Sequence, residues 1–406
     1  MNSSGVYARK VSIPRSGMWK DGRPALTRLD IELTERCNFA CAHCSINLPA
    51  GDAGARKREL DTQAIKAILE EASSLGCLAV RFTGGEPLLR DDFAKIYTGA
   101  RKLGLRVMIF TNASLLTAGM ADLLAKYPPL EKIEVSIYGM SPESCQAVTG
   151  AAGGFAASMK GIELLLDRGL PFVVKGAVLP GNKKELGKFD DWASSLPWMQ
   201  GRKPALAMAF ELRTRRDSGE KSAGIMKVRP DPQEIVGYEL GRDPDLREFR
   251  SFVAGRHELY GDLLFNCYPT GAAAVDSYGN LQYCLSLRHP DTVYDLKKGS
   301  LREAVSEFLP EVGCLRAKNA DYLKRCGSCF LKEACLQCPS RSWSEHGTLD
   351  TPVDYLCRIT HLKAEAAGLL KPGEKAWLPE ARSRFLKYIG KDSGRPGAAC
   401  PEQGKE

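Results

Sequence analysis

The sequence predicts an α/β fold: a parallel sheet curved into a partial (β/α)6 TIM-like barrel, followed by a smaller cysteine-rich domain. Three observations carry that prediction. Six short apolar, β-rich runs alternate with amphipathic helix patterns between residues 26 and 212, and parallel neighbours need crossover helices of this kind. Motifs of chemical character follow the first, second and third runs, where such a barrel places its functional loops. Cysteines then crowd into the last third of the chain. Six units fall short of a closed eight-fold barrel, so the sheet is expected to stay open.

The elements follow in order. LTRLDIEL (26–33) reads as the first strand and runs into TERCNFACAHCSI (34–46). Asp61 caps a helix over 61–76 that Gly76 ends. Further strands are expected at 78–84, 106–112, 132–139, 172–179 and 205–212, with helices at 91–103, 115–126, 154–168 and 184–196. Residues 1–25 read as an N-terminal extension and the polar segment 213–262 as a linker or bridging segment. Residues 263–366 form the second domain, and 367–406 a partly disordered tail. Within the second domain AVDSYGNLQYCL (274–285) is a hairpin turning at Gly279-Asn280.

Composition narrows the setting. The chain has 406 residues, fourteen cysteines and a net charge of +8. No apolar run approaches the roughly 18–20 residues of a membrane helix, and MNSSGVYARKVSIPRSG lacks the apolar core of a signal peptide. A cytoplasmic protein with no membrane partner is expected. In a reducing compartment clustered thiols point to metal or cluster ligation rather than disulfides. The basic stretches RTRR (213–216) and ARKR (55–58) read as solvated surface, so no nucleic-acid partner is expected.

Cys37, Cys41 and Cys44 lie on one short loop. Three thiolates there can hold three irons of a [4Fe–4S] cluster and leave the fourth iron without a protein ligand. Zinc with a fourth ligand elsewhere is the alternative, and His43 cannot readily serve because it adjoins Cys44. After the second strand comes RFTGGEPLLR (81–90), whose glycines permit a close backbone approach or a sharp turn and whose Glu86 falls at the sheet's C-terminal rim. A tight turn with a helix-capping acid accounts for it equally when it is taken alone. The C-terminal array runs Cys326-x2-Cys329-x5-Cys335-x2-Cys338 with Cys357 beyond, and Gly279 stands five residues before Cys284. Two zinc ribbons or two iron–sulfur clusters fit that spacing.

The cysteine loop after strand one and GGEP after strand two together resemble the radical S-adenosylmethionine (radical SAM) enzymes, over about residues 26–212. The resemblance implies that Cys37, Cys41 and Cys44 hold a [4Fe–4S] cluster whose open iron is chelated by S-adenosyl-L-methionine. It implies that Gly84, Gly85 and Glu86 meet the SAM amino group. Asn112, Ser136 and Lys175 match positions that contact its ribose or carboxylate, and His43 a position beside its adenine; caps, surface polars and loop filling are the bland alternatives. A flavodoxin- or ferredoxin-type reductant is implied as well.

The C-terminal array resembles the SPASM extension of these enzymes over about residues 265–360, which implies two auxiliary [4Fe–4S] clusters. Carried over, Cys326, Cys329, Cys335 and Cys357 hold the distal cluster, and Cys267, Cys284 and Cys338 the proximal one. Two departures stand out. Only Leu336-Gln337 separate Cys335 from Cys338 where the family usually has three residues, and GDLLFN (261–266) lacks the extra cysteine that many members carry. The proximal set is therefore one ligand short, open to substrate or to another side chain. Cys314 is the nearest unassigned thiol and reads as buried or incidental. Cys77 and Cys145 read as structural, and Cys400 as inert.

The SPASM resemblance implies a ribosomally made peptide or small-protein substrate, modified through C–C or C–X bond formation, excision, epimerisation or oxidation. The stretch before the first strand is short for a leader-binding domain, so a separate leader-binding protein is expected. A tetrapyrrole side-chain-modifying enzyme, a sulfatase-maturase-like protein oxidase and a non-enzymatic cluster scaffold are the alternatives, the last disfavoured by GGEP. The catalytic acid or base is unassigned. Glu211 and Arg213 after the sixth strand and Tyr138 after the fourth are the candidates facing the cavity, each with an alternative as a rim salt bridge or packing residue.

Overall fold

The computed structural model describes residues 19–20, 23–24, 26–256, 261–265, 267 and 271–389. The barrel half runs β1 (Arg28–Thr34), α1 (Thr62–Ser74), β2 (Ala79–Gly84), α2 (Phe93–Lys102), β3 (Arg106–Thr111), α3 (Ala118–Lys126) and β4 (Ile133–Ser136). It continues through α4 (Pro142–Thr149), α5 (Gly154–Asp167), β5 (Phe172–Ala177), α6 (Leu186–Ser195) and β6 (Ala205–Ala207). β1 to β6 pair in parallel, each with the next. Alternate side chains such as Val80, Phe82, Val107, Ile109 and Val135 are buried under the crossover helices. β1 is buried at every position after Arg28, as befits a strand with neighbours on both sides. The Asp61 carboxylate accepts the Ala64 N–H at 2.8 Å and starts α1 where the sequence places it.

Four expectations need correction. The sixth strand ends at Ala207, so residues 208–212 leave the sheet. The turn of the C-terminal hairpin lies at Asp276–Gly279, with Gly279 at φ +89°, and Asn280 already belongs to the following strand. The segment 213–262 is not an unstructured linker: it holds α7 (Gly219–Val228), α8 (Pro232–Arg242) and α9 (Arg247–Gly255). The presumed tail is folded as far as Ile389, whereas SGRPGAACPEQGKE (393–406), with Cys400, lies outside the described residues. The helix α4 was not foreseen either, although Ser141-Pro142 announces it: the Ser141 hydroxyl accepts the Ser144 N–H, and Pro142 occupies the first turn.

The C-terminal half is built onto the barrel sheet. β7 (Ala272–Val275) pairs in parallel with β1, and β8 (Asn280–Gln282) and β9 (Tyr294–Asp295) continue antiparallel, giving nine strands in one sheet among the described residues. α10 (Pro339–His346), α11 (Asp354–Ala366) and α12 (Pro379–Ile389) follow. A buried charge network clamps the seam. Arg288, 2% exposed, reaches Glu32 at 2.5 Å and Asp276 at 3.2 Å. Arg215 reaches Glu35 at 2.6 Å and Asp276 at 2.9 Å. RTRR is thus largely an interior strap rather than solvated surface, and Arg213 is 1% exposed.

Candidate active site and cysteine clusters

The loop after β1 carries Cys37, Cys41 and Cys44 and is held from three sides. Ala40 and Ala42 donate their N–H groups to Thr149 and Val148 at the end of α4, at 2.8 and 3.0 Å. Thr214 donates to Ser45 O at 3.3 Å. The Cys37 sulfur accepts the Phe39 N–H at 3.3 Å. Burial pushes the Cys37 thiol up to about 12 and that of Cys41 well above its usual range, and each is raised further by the neighbouring loop thiols. Three thiols this close and this buried call for a cationic centre to make their ionised forms tolerable. Among the described residues no group of three or more Cys, His, Asp or Glu is arranged around a single metal ion.

GGEP locks β2 against this loop. Gly85 N–H donates to Thr34 O at 2.7 Å and Glu86 N–H to Arg36 O at 2.9 Å. A Cβ on Gly84 would lie 2.0 Å from Thr34 O and one on Gly85 2.2 Å from Arg36 O, so no side chain fits either position. Glu86 is wholly buried. Its carboxylate accepts Thr111 Oγ1 and Asn112 N–H, both at 2.8 Å, and Leu88 N–H at 3.1 Å. Burial raises its pKa to about 7 against those donors. Its side chain therefore braces β2 against β3.

The other SAM-contact candidates gather at the same strand ends. Asn112 Nδ2 donates to Asn38 Oδ1 at 3.0 Å and faces the Cys37 sulfur at 4.0 Å. Ser136 and Lys175 are register partners on β4 and β5, so their side chains share a face. The Lys175 amine is paired with Glu134 at 2.9 Å and rests on the Phe110 ring at 3.3 Å. His43 packs against Tyr138 and Phe210, with ring centroids 5.0 and 4.9 Å away, and burial lowers its pKa to about 4. It is a neutral ring in an aromatic box.

The later cysteines separate into two sets. Cys326, Cys329, Cys335 and Cys357 line one pocket with Arg325 and His361. Cys267, Cys284 and Cys338 interact with one another. Cys267 and Cys284 are exposed by area, yet burial pushes their thiols up to about 11 and about 12. Cys314 is disulfide-bonded and offers no thiolate. Cys77 and Cys145 are buried among core elements.

The catalytic candidates part company. Arg213 does not face the cavity: it is bidentate to Asp217 at 2.8 and 2.7 Å and donates to Asn47 O at 3.3 Å, pinning the end of the cysteine loop. Tyr138 is drawn into the His43 packing, and burial raises its phenol. Glu211 is paired with Arg341 at 2.8 Å and accepts Ser286 Oγ at 2.6 Å, close enough to Cys284 to act on its thiol. Neither Arg341 nor Ser286 is legible as a site residue in the sequence, where no motif marks them.

Residues 31–193 match the model of the Radical SAM superfamily. An AdoMet-dependent heme synthase of Methanosarcina barkeri is 33% identical over 372 residues, 85% of this chain and 96% of that protein. The chain belongs to the radical SAM superfamily. It is therefore an enzyme of the family that uses a [4Fe–4S] cluster and SAM. An AdoMet-dependent heme synthase of Oleidesulfovibrio alaskensis is 32% identical over 178 residues, 44% of either chain. A PqqA peptide cyclase of Ruegeria pomeroyi is 32% identical over 173 residues, 43% of this chain and 45% of that protein, so the match spans less than half of these two relatives. Native anSMEcpe with bound AdoMet shares the fold at a TM-score of 0.59 and 15% identity, over 89% of this chain and 99% of that one. The same protein has been solved with a Kp18Cys peptide. Among the described residues no helix is long and apolar enough to cross a membrane.

In a radical SAM enzyme the residues at this strand end fit the cluster. Cys37, Cys41 and Cys44 would be its thiolate donors, and Gly84 and Gly85 hold the adjoining backbone against their loop.

Proposed function

We propose that the chain is a SPASM-type radical SAM enzyme that modifies a ribosomally made peptide. The observation that carries the reading is the second thiol set. Cys267, Cys284 and Cys338 converge beside Glu211, while Phe210, the preceding residue, packs on His43 of the first cysteine loop. One dipeptide thus spans the space between the two sites. A [4Fe–4S] cluster held by Cys37, Cys41 and Cys44, with SAM bound beside it, would supply one-electron reductive cleavage of SAM and hydrogen-atom abstraction from substrate. The chain's own residues orient and shelter the site. His43, Tyr138 and Phe210 wall it with apolar rings, and Asn112 and Lys175 provide donors. Auxiliary clusters held by the two later sets would bind substrate or take up the product electron. A flavodoxin or ferredoxin would supply reducing equivalents, and a separate protein would present the leader.

The peptide assignment draws support from the PqqA cyclase relative and from the peptide-bound fold neighbour. A tetrapyrrole side-chain-modifying reaction is the second reading, favoured by the match along nearly the whole Methanosarcina heme synthase. Incubation of the reduced holoenzyme with SAM and either a precursor peptide encoded beside its gene or a tetrapyrrole separates the two. The peptide reading expects substrate-dependent 5′-deoxyadenosine and a mass change on the peptide alone. Turnover of the tetrapyrrole with none of the peptide would replace it.

A further inference from the structure

The proximal thiol set is one ligand short of a closed cluster, and the residues around it show what completes it. We propose that Glu211 is the fourth ligand, a carboxylate, of the iron–sulfur cluster held by Cys267, Cys284 and Cys338; this rests on the auxiliary-cluster reading above.

The argument is geometric. Glu211 follows β6 in the stretch that has left the sheet. Its two oxygens are clamped by residues that closely follow two of the three cysteines. Ser286, two positions after Cys284, donates its hydroxyl to Oε2 at 2.6 Å. Arg341, three positions after Cys338, donates Nε to Oε1 at 2.8 Å, and its other arm holds Ala209 O at 3.0 Å. The loops that deliver two thiols therefore also aim the carboxylate.

Each clamp occupies one lone pair, and an ionised carboxylate offers about four, so one lone pair on each oxygen remains for iron. Outer hydrogen bonds of this kind are what orient a ligating carboxylate. The rivals are weaker. Cys314 is bridged elsewhere. Ser340 Oγ lies 3.0 Å from the Cys338 sulfur, a hydrogen-bond distance, and a neutral hydroxyl is a poor ligand beside a fixed carboxylate.

The test uses the full chain carrying C37A/C41A/C44A, which removes the SAM-binding cluster and leaves the auxiliary sets, reconstituted anaerobically with iron and sulfide. Iron and sulfide for two clusters are expected in the parent, in E211Q and in E211C. In E211Q the EPR signal of one reduced cluster shifts and shifts again on adding cyanide, which occupies the opened iron. The parent and E211C stay insensitive to cyanide. An E211Q spectrum superimposable on the parent, or a parent that already responds to cyanide as E211Q does, would overturn the assignment of Glu211. Iron for only one cluster in the parent would instead overturn the auxiliary-cluster reading itself, whatever Glu211 does.

Discussion

At the scale of single residues, Gly85 has little freedom. The atom that a Cβ would meet is the Arg36 carbonyl oxygen at 2.2 Å, which is backbone and cannot step aside. G85A is expected to splay the cysteine loop from β2, and the reconstituted variant should lose iron from the SAM-binding site while retaining it at the later sets. Glu32 is the second residue with a clear consequence. Burial raises its pKa to about 7 against the pull of Arg288, and Glu35 and Asp276 raise it further. A raised carboxyl is fully compatible with folding below its unfolded value of 4.5 and costs stability as pH rises from there to about 7. Thermal melts from pH 4.5 to 7 should therefore show wild type losing stability relative to E32Q, by at most about 1.4 kcal/mol per pH unit. Parallel curves would remove Glu32 as the titrating group. The cysteines and GGEP were legible because their meaning lies in short spacings. Arg215 is not legible as buried because its carboxylates, Glu35 and Asp276, lie far away in sequence, and Arg213 because its contact with Asn47 O joins segments 166 residues apart.

Among the elements, the longer barrel strands and their crossover helices were legible, with ends off by a few residues. Their apolar periodicity is dictated by burial against a sheet. The helices α7 and α9 were not legible; α7 fully buries only Ile225, too narrow a stripe to show as periodicity, and α9 fully buries only Val253. α12 is the more consequential surprise. Its Phe385 stacks on Phe330 at 4.3 Å with ring planes 6° apart, and Phe330 follows Cys329 directly. His361 on α11 accepts the Ala376 N–H on Nε2, which leaves Nδ1 to donate to Cys357 O at 2.8 Å. The C-terminal helices thus support the distal thiol set from behind. F385A should cost about 3–5 kcal/mol, read by urea unfolding of the holoprotein, and should lower iron retention at the distal set. A loss under 1 kcal/mol, with iron unchanged, would show that α12 is not part of this support.

Over the whole molecule, the C-terminal half is an extension of the barrel sheet through β7 rather than a separate body on a linker. β1 would otherwise be an open edge, and the pairing brings Asp276 and Arg288 against Glu32 and Glu35. R288A leaves buried carboxylates without their partner and is expected to cost about 3–5 kcal/mol, measured as a fall in the unfolding midpoint. R288M should recover little of it, because the three acids remain. No local pattern in the sequence announced this seam, since both the strand pairing and the ion network join segments more than two hundred residues apart. On the proposed function, the two thiol sets flanking Phe210-Glu211 serve one radical reaction begun at Cys37, Cys41 and Cys44. The most direct measurement is 5′-deoxyadenosine formation by the anaerobically reconstituted, dithionite-reduced holoprotein supplied with SAM. Wild type is expected to give 5′-deoxyadenosine and methionine in equal amounts, and C37A/C41A/C44A none. No 5′-deoxyadenosine from wild type with its clusters intact would contradict the proposed function.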